Sequence, residues 1–209
     1  MEVRTFIVGP VQENCHIARR DGSDQVIVID PGEEAPRLIE AVQGLHVAAI
    51  LLTHTHFDHV GAVAPLARAT GAKVWCPEIE VPVLADIMRF VPWPGFGPYE
   101  SYEADHTVAG GERLELAGFA IDVLFTPGHS PGHVTYSIPA EHAIFSGDVL
   151  FEGSVGRTDL PGGDHATLMQ TLATLVEALP DETVVHPGHM GSTTIGRERA
   201  TNPFLAQLA

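Results

Sequence analysis

Residues 53–59 read Thr-His-Thr-His-Phe-Asp-His, and this stretch limits the fold more tightly than any other. His54, His56, Asp58 and His59 can all bind a metal, and they crowd into one hexapeptide. Just before it, Val47 to Leu52 is an apolar run closed by polar residues, which suits a buried strand. After it, residues 59–70 suggest a helix stopped by Gly71, with Pro65 working against that pattern. Alternate residues of an extended segment point the same way, so His54 and His56 can reach one metal ion. Asp58 and His59 stand where the chain turns into the helix and can face a neighbouring point, which suits a second ion. Imidazole and carboxylate donors select zinc, iron or manganese over calcium or magnesium. The competing reading is a His-rich turn facing solvent.

One hexapeptide cannot complete two coordination spheres. Three later strand ends offer the remainder. His129 follows the apolar run 121–125 through Thr126-Pro127-Gly128. Asp148 follows 142–145 through Ser146-Gly147. His189 follows 183–185 through His186-Pro187-Gly188. Placing polar groups at the ends of rigid strands is the usual arrangement of sites in α/β proteins. Strands are also expected at 26–29, 73–76, 112–116, 120–125, 133–138 and 142–146. Helices are expected at 35–43, 82–90, 164–179 (capped by Asp164) and 194–208, the last interrupted at Asn202-Pro203. This order suggests two sheets in the middle with helices outside. Residues 91–104 form a loop rich in Pro, Gly and aromatic residues, either a packed excursion or a wall facing substrate.

The net charge of −16 repels phosphate backbones and anionic membrane surfaces, so nucleic-acid and membrane partners are not expected. The 12 His favour metal binding. Cys15 and Cys76 cannot build a disulfide framework, and no secretory leader or membrane-length apolar run is visible. A cytoplasmic protein is the expectation.

The chain resembles the metallo-β-lactamase superfamily, and within it the short glyoxalase II-like (hydroxyacylglutathione hydrolase-like) branch. The resemblance runs along nearly the whole chain. It is carried by Gly9-Pro10-Val11-Gln12-Glu13-Asn14, Val28-Ile29-Asp30-Pro31-Gly32, Thr53 to His59 and Thr126 to His133. Ser146-Gly147-Asp148, Gly156-Arg157-Thr158-Asp159, Pro187-Gly188-His189 and Asn202-Pro203-Phe204 complete it. It implies a four-layer αββα sandwich over 1–209 as a single domain, without a C-terminal helical substrate domain. It also implies two divalent metal ions, zinc first, with iron or manganese as alternatives. His54, His56 and His129 would hold one ion, Asp58, His59 and His189 the other, and Asp148 would bridge them.

Two cations about 3.5–4 Å apart supply hydroxide at neutral pH by acidifying a bridging water. Asp58 would orient that nucleophile while ligating. A thiolate leaving group, with a pKa near 8.5, needs little protonation, so a small-molecule thioester fits a site with no evident general acid. Arg157 falls where the family binds a carboxylate of the glutathione moiety; an internal salt bridge to Asp159 is the alternative. The family's tyrosine after the last metal His is replaced here by Met190-Gly191. The main rival activity is a mononuclear iron persulfide dioxygenase, followed by a lactonase or β-lactamase. A non-catalytic metal-binding module is the reading from outside enzymology, and a homo-oligomer stays open. His133 is expected to hydrogen-bond near the ligands, and Asp30 to orient one. His186 is either beside the site or merely half buried. His16, His46, His106, His142 and His165 are expected on the surface or at caps.

Overall fold

The computed structural model describes residues 1–207. It divides into two compact units, residues 1–108 with 115–119, and residues 109–114 with the chain from 120 onward.

In the first unit, β1 (Glu2–Val8), β2 (Glu13–Arg19) and β3 (Gln25–Ile29) form an antiparallel meander. Then β3, β4 (His46–Leu51), β5 (Lys73–Pro77) and β6 (His106–Val108) run parallel, so spatial order equals chain order. Parallel neighbours need crossovers, and helices supply them. The crossovers are α1 (Ala35–Ala41), then α2 (Phe57–Val60) with α3 (Val63–Thr70), then α4 (Val81–Leu84) with α5 (Ile87–Phe90). A parallel strand covered on both faces should be apolar throughout. Val26 to Ile29 and Ala49 to Leu52 are accordingly all buried.

The helix expected over 59–70 is two helices. Pro65 stands in the first turn of α3, where the missing N–H costs nothing. The preceding Gly61 has no room for a Cβ between the Gly32 carbonyl and the Tyr99 ring. The helix expected at 82–90 is likewise broken, with Pro82 in the first turn of α4 and Asp86 leaving helical geometry before α5. Strands β1 and β2 were not legible as strands, because β2 buries Glu13, Asn14 and His16 among its apolar residues. His16 is thereby a correction: it is 2% exposed, with Nδ1 3.0 Å from Thr5 Oγ1 on the neighbouring strand.

The second sheet contains β7 (Arg113–Leu116), β8 (Phe119–Phe125), β9 (Val134–Ile138) and β10 (Ala143–Gly147). A separate hairpin, β11 (Leu150–Phe151) with β12 (Ser154–Val155), follows. Then come α6 (His165–Ala178), β13 (Val184–Pro187), β14 (Thr193–Thr194) and α7 (Ile195–Thr201). The order is β14-β13-β10-β9-β8-β7, with β10 and β13 parallel. Helix α6 starts where Asp164 accepts the Thr167 N–H, and buries Leu168, Leu172, Leu175 and Val176 against Ile144 and Val185. Each such leucine removed from water contributes about 1.5–3 kcal/mol. After α7 the chain breaks at Asn202-Pro203 as expected, and a 3₁₀ turn covers Leu205–Gln207. Residue 208, the end of the expected helix, lies outside the described residues. Among the described residues no helix is long and apolar enough to cross a membrane.

Candidate metal centre

In the first unit the candidate donors sit beyond the carboxyl end of β4, where ligands bind in open parallel sheets. His54 and His59 are fully buried, and the Asp58 side chain is 14% exposed. Hydrogen bonds assign the tautomers of the two imidazoles. Thr53 donates its hydroxyl to Asp30 Oδ2 at 2.6 Å and its N–H to Asp30 Oδ1 at 2.7 Å. With its one proton committed, Thr53 Oγ1 is an acceptor toward His54 Nδ1, 3.0 Å away. His54 therefore carries hydrogen on Nδ1 and a lone pair on Nε2. That Nε2 lies 3.1 Å from His56 Nδ1. His59 donates Nδ1–H to Asp30 Oδ2 at 3.1 Å, which leaves a lone pair on Nε2, 3.8 Å from Asp58 Oδ2. A carboxylate behind a ligating imidazole fixes the tautomer and raises its basicity. Asp30 thus orients the His59 ring, and does so from a left-handed backbone at φ +48.

Metal–nitrogen distances of about 2.0–2.1 Å put neighbouring donors of a tetrahedral ion about 3.4 Å apart. The nitrogens of His54 and His56 fit that spacing, and the all-imidazole and carboxylate chemistry suits a borderline transition metal. Two supports escaped the sequence reading. Thr55 donates to Glu80 Oε2 at 2.7 Å, with Glu80 only 4% exposed. Glu13, fully buried on β2, stands 3.8 Å from His59 Nδ1. Gly32 is required here, because a Cβ would overlap the Asp58 carbonyl oxygen and meet Glu13 Oε2.

In the second unit, His129, Asp148 and His189 come together from three strand ends. Asp148 Oδ2 lies 3.5 Å from His129 Nε2 and 3.6 Å from His189 Nε2. One carboxylate oxygen thus stands within 3.6 Å of two imidazole nitrogens. The main chain holds this group. His129 donates Nδ1–H to the Arg157 carbonyl at 2.7 Å. Asp148 N–H donates to His133 Nε2 at 3.1 Å, so His133 carries its hydrogen on Nδ1, toward Thr126 Oγ1 at 3.0 Å. His133 is therefore a hydrogen-bonding partner of the Asp148 main chain. The β10–β13 register shifts at Gly147, whose φ of +46 turns the chain into Asp148. Gly156 leaves room for the Asp148 carbonyl, which a Cβ would overlap.

Four other side chains can be placed. His186 stacks on Phe145 with ring centroids 5.1 Å apart, and burial pushes its pKa down to about 4. The Arg157 guanidinium makes two bonds to Asp159, at 2.6 and 2.8 Å, and holds that carboxyl down at about 2. Burial pushes the Cys15 and Cys76 thiols up, away from nucleophile chemistry.

A family model described as Metallo-beta-lactamase superfamily matches residues 8–189. The probable metallo-hydrolase YqgX of Bacillus subtilis is 38% identical over 98% of both chains. The hydroxyacylglutathione hydrolase GloC of Haemophilus influenzae is 37% identical, also over 98% of both. Among solved structures, the BLEG-1 B3 metallo-beta-lactamase superposes with a TM-score of 0.92 at 38% identity, covering 98% of this chain and 99% of that one. TTHA1623 in a di-iron-bound form gives a TM-score of 0.86 at 43% identity, covering 97% and 100%.

Proposed function

The chain belongs to the metallo-β-lactamase superfamily, with its α/β sandwich fold and metal-dependent hydrolase chemistry, and we propose that it hydrolyses thioesters of the hydroxyacylglutathione type. The observation that carries the metal part of this reading is Asp148 Oδ2 set between His129 Nε2 and His189 Nε2. His54, His56 and His129 are proposed to hold one ion, and Asp58, His59 and His189 the other, with Asp148 shared. The donor set suits zinc, and the di-iron form of a similar protein keeps iron equally in play.

Bound there, two such ions would supply an activated water and polarise a carbonyl oxygen. The chain's own contribution is placement. Asp58, partly exposed among buried imidazoles, is the carboxylate able to orient a nucleophile and accept its proton. Asp30, Thr53 and the Arg157 carbonyl hold the tautomers that leave lone pairs free. No general acid is needed when the leaving group is a thiolate. The similarity to GloC supports the thioester class, and the similarity to BLEG-1 supports β-lactams as the second reading.

The test is elemental analysis of purified protein together with a substrate panel. Two ions per chain and turnover of S-lactoylglutathione or a related thioester are expected. Efficient cleavage of a β-lactam or lactone with no thioester turnover would replace the substrate class. One iron per chain with oxygen uptake on a persulfide would replace the reaction.

A further inference from the structure

We propose that Arg89, with the rings of Phe90 and Trp93, receives the carboxylate-bearing thiol half of the substrate. This rests on the thioesterase reading above. The chain has 11 Lys and Arg, and eight of them already hold a carboxylate. Arg4 and Arg20 donate to the carbonyls of Ala41 and Gly118. Arg89 alone, among the described residues, makes neither kind of bond; its guanidinium lies 5.8 Å over the Phe90 ring. Arg157, the cation that the sequence assigns to the substrate, already gives two hydrogen bonds to Asp159. In a chain of net charge −16, an anion is best received where no carboxylate must first be displaced.

The placement is equally specific. Helix α5, which carries Arg89 and Phe90, packs against α2, which carries Asp58 and His59. Phe57 stands between His56 and Asp58, and the Trp93 ring meets it edge-on at 6.2 Å. Phe90 and Trp93 are 47% and 40% exposed. The segment carrying them is tied down: Ile87 N–H donates to Ser101 Oγ, Tyr99 N–H to Met88 Sδ, and Tyr99 O–H to Glu33 at 2.5 Å. Two large rings and an uncommitted guanidinium are thus held in water beside the candidate donors. That combination suits an extended thiol with a carboxylate for Arg89 and apolar methylenes for the rings.

Two thioesters with the same acyl group test this on the metal-loaded enzyme: one with a free carboxylate on its thiol half, the other with that carboxylate amidated. Arg89→Ala should raise KM for the acid about tenfold with kcat little changed, as for the loss of a charge-assisted contact. KM for the amide should stay within twofold or so, and Arg89→Lys should restore most of the preference. Arg113→Ala, which removes an exposed charge elsewhere, controls for the overall field and should leave the preference in place. The inference is overturned if the acid-over-amide preference survives Arg89→Ala, or if Arg157→Ala erases it instead. A wild type that turns over neither thioester overturns the thioesterase reading, and this inference with it.

Discussion

The two donor groups are supported in different ways. In the first unit the donors are neighbours in one hexapeptide, and side chains behind them supply the support: Asp30 and Thr53 set the imidazole tautomers, and Glu80 takes the Thr55 hydroxyl. In the second, His129, Asp148 and His189 come from three separate strand ends, and the main chain supplies most of the support. The Arg157 carbonyl holds His129, the Asp148 N–H is held by His133, and Gly147 turns the chain. A local cluster can be oriented by carboxylates that reach one loop. A dispersed group depends on strand ends arriving in register.

The largest expected effects come from the donors. Asp148→Ala removes the oxygen that the His129 and His189 imidazoles share. It should strip both ions and lower kcat/KM by roughly 10³ or more, the scale on which a principal charge-stabilising group is lost. His189→Ala should leave about one ion per chain by elemental analysis. Equal metal loss from the two variants would break the assignment of Asp148 as the shared ligand.

Next come the glycines, where the two plans converge on one device. Gly32 faces the Asp58 carbonyl, and Gly156 faces the Asp148 carbonyl. A Cβ at either position must push a candidate carboxylate ligand's own backbone aside. Gly32→Ala and Gly156→Ala should each destabilise by about 1–3 kcal/mol or more and lower metal occupancy. Urea unfolding and metal titration check this. If either alanine is accommodated without loss, the carbonyl contact is not what holds that ligand.

A smaller effect separates the plans again. Asp30→Asn leaves every donor in place but weakens the carboxylate behind His59 and Thr53. Metal affinity should fall about 10–100-fold, as is usual when such a partner is lost. Thr126→Val should cost less, since Thr126 reaches Asp148 only through His133 and the Arg157 carbonyl still holds His129. Competition with a chelator, run on both variants, ranks them; the reverse order would overturn the contrast.

This contrast also explains what was legible in the sequence. The hexapeptide could be read from residue types and spacing, because its donors are local. The strand ends of the second unit were visible only as apolar runs with polar closures, and no pattern states that three such ends meet. His186 could be read as beside the site or as merely half buried, and the structure stacks it on Phe145. The supports were the least legible. Glu13 and Glu80 are buried carboxylates whose partners lie far along the chain, and β2 hid its strand character by burying Glu13, Asn14 and His16. The helix over 59–70 was half right: the pattern showed an apolar face, but not that Gly61 meets Tyr99 at the break.

His186 offers the smallest and most discriminating test. It belongs to the same His-Pro-Gly-His turn as His189, yet it stacks on Phe145 and lies 3.3 Å from Ser192 Oγ. Burial lowers its pKa to about 4, whereas an unfolded histidine titrates near 6.5. A depressed pKa means that the unfolded chain takes up the proton first as pH falls. The stability from burying neutral imidazole is therefore fully present above about 6.5 and is lost progressively toward about 4. In His186→Gln this pH-dependent part disappears. The unfolding free energies of wild type and variant should thus converge between pH 7 and pH 4.5 by on the order of 1 kcal/mol, after allowance for partial exposure of the ring. Metal content at pH 7 should be the same in both proteins. A constant difference across this range would show that the ring is not buried neutral. Loss of an ion from His186→Gln would place His186 among the donors and remove the distinction between the two histidines of this turn.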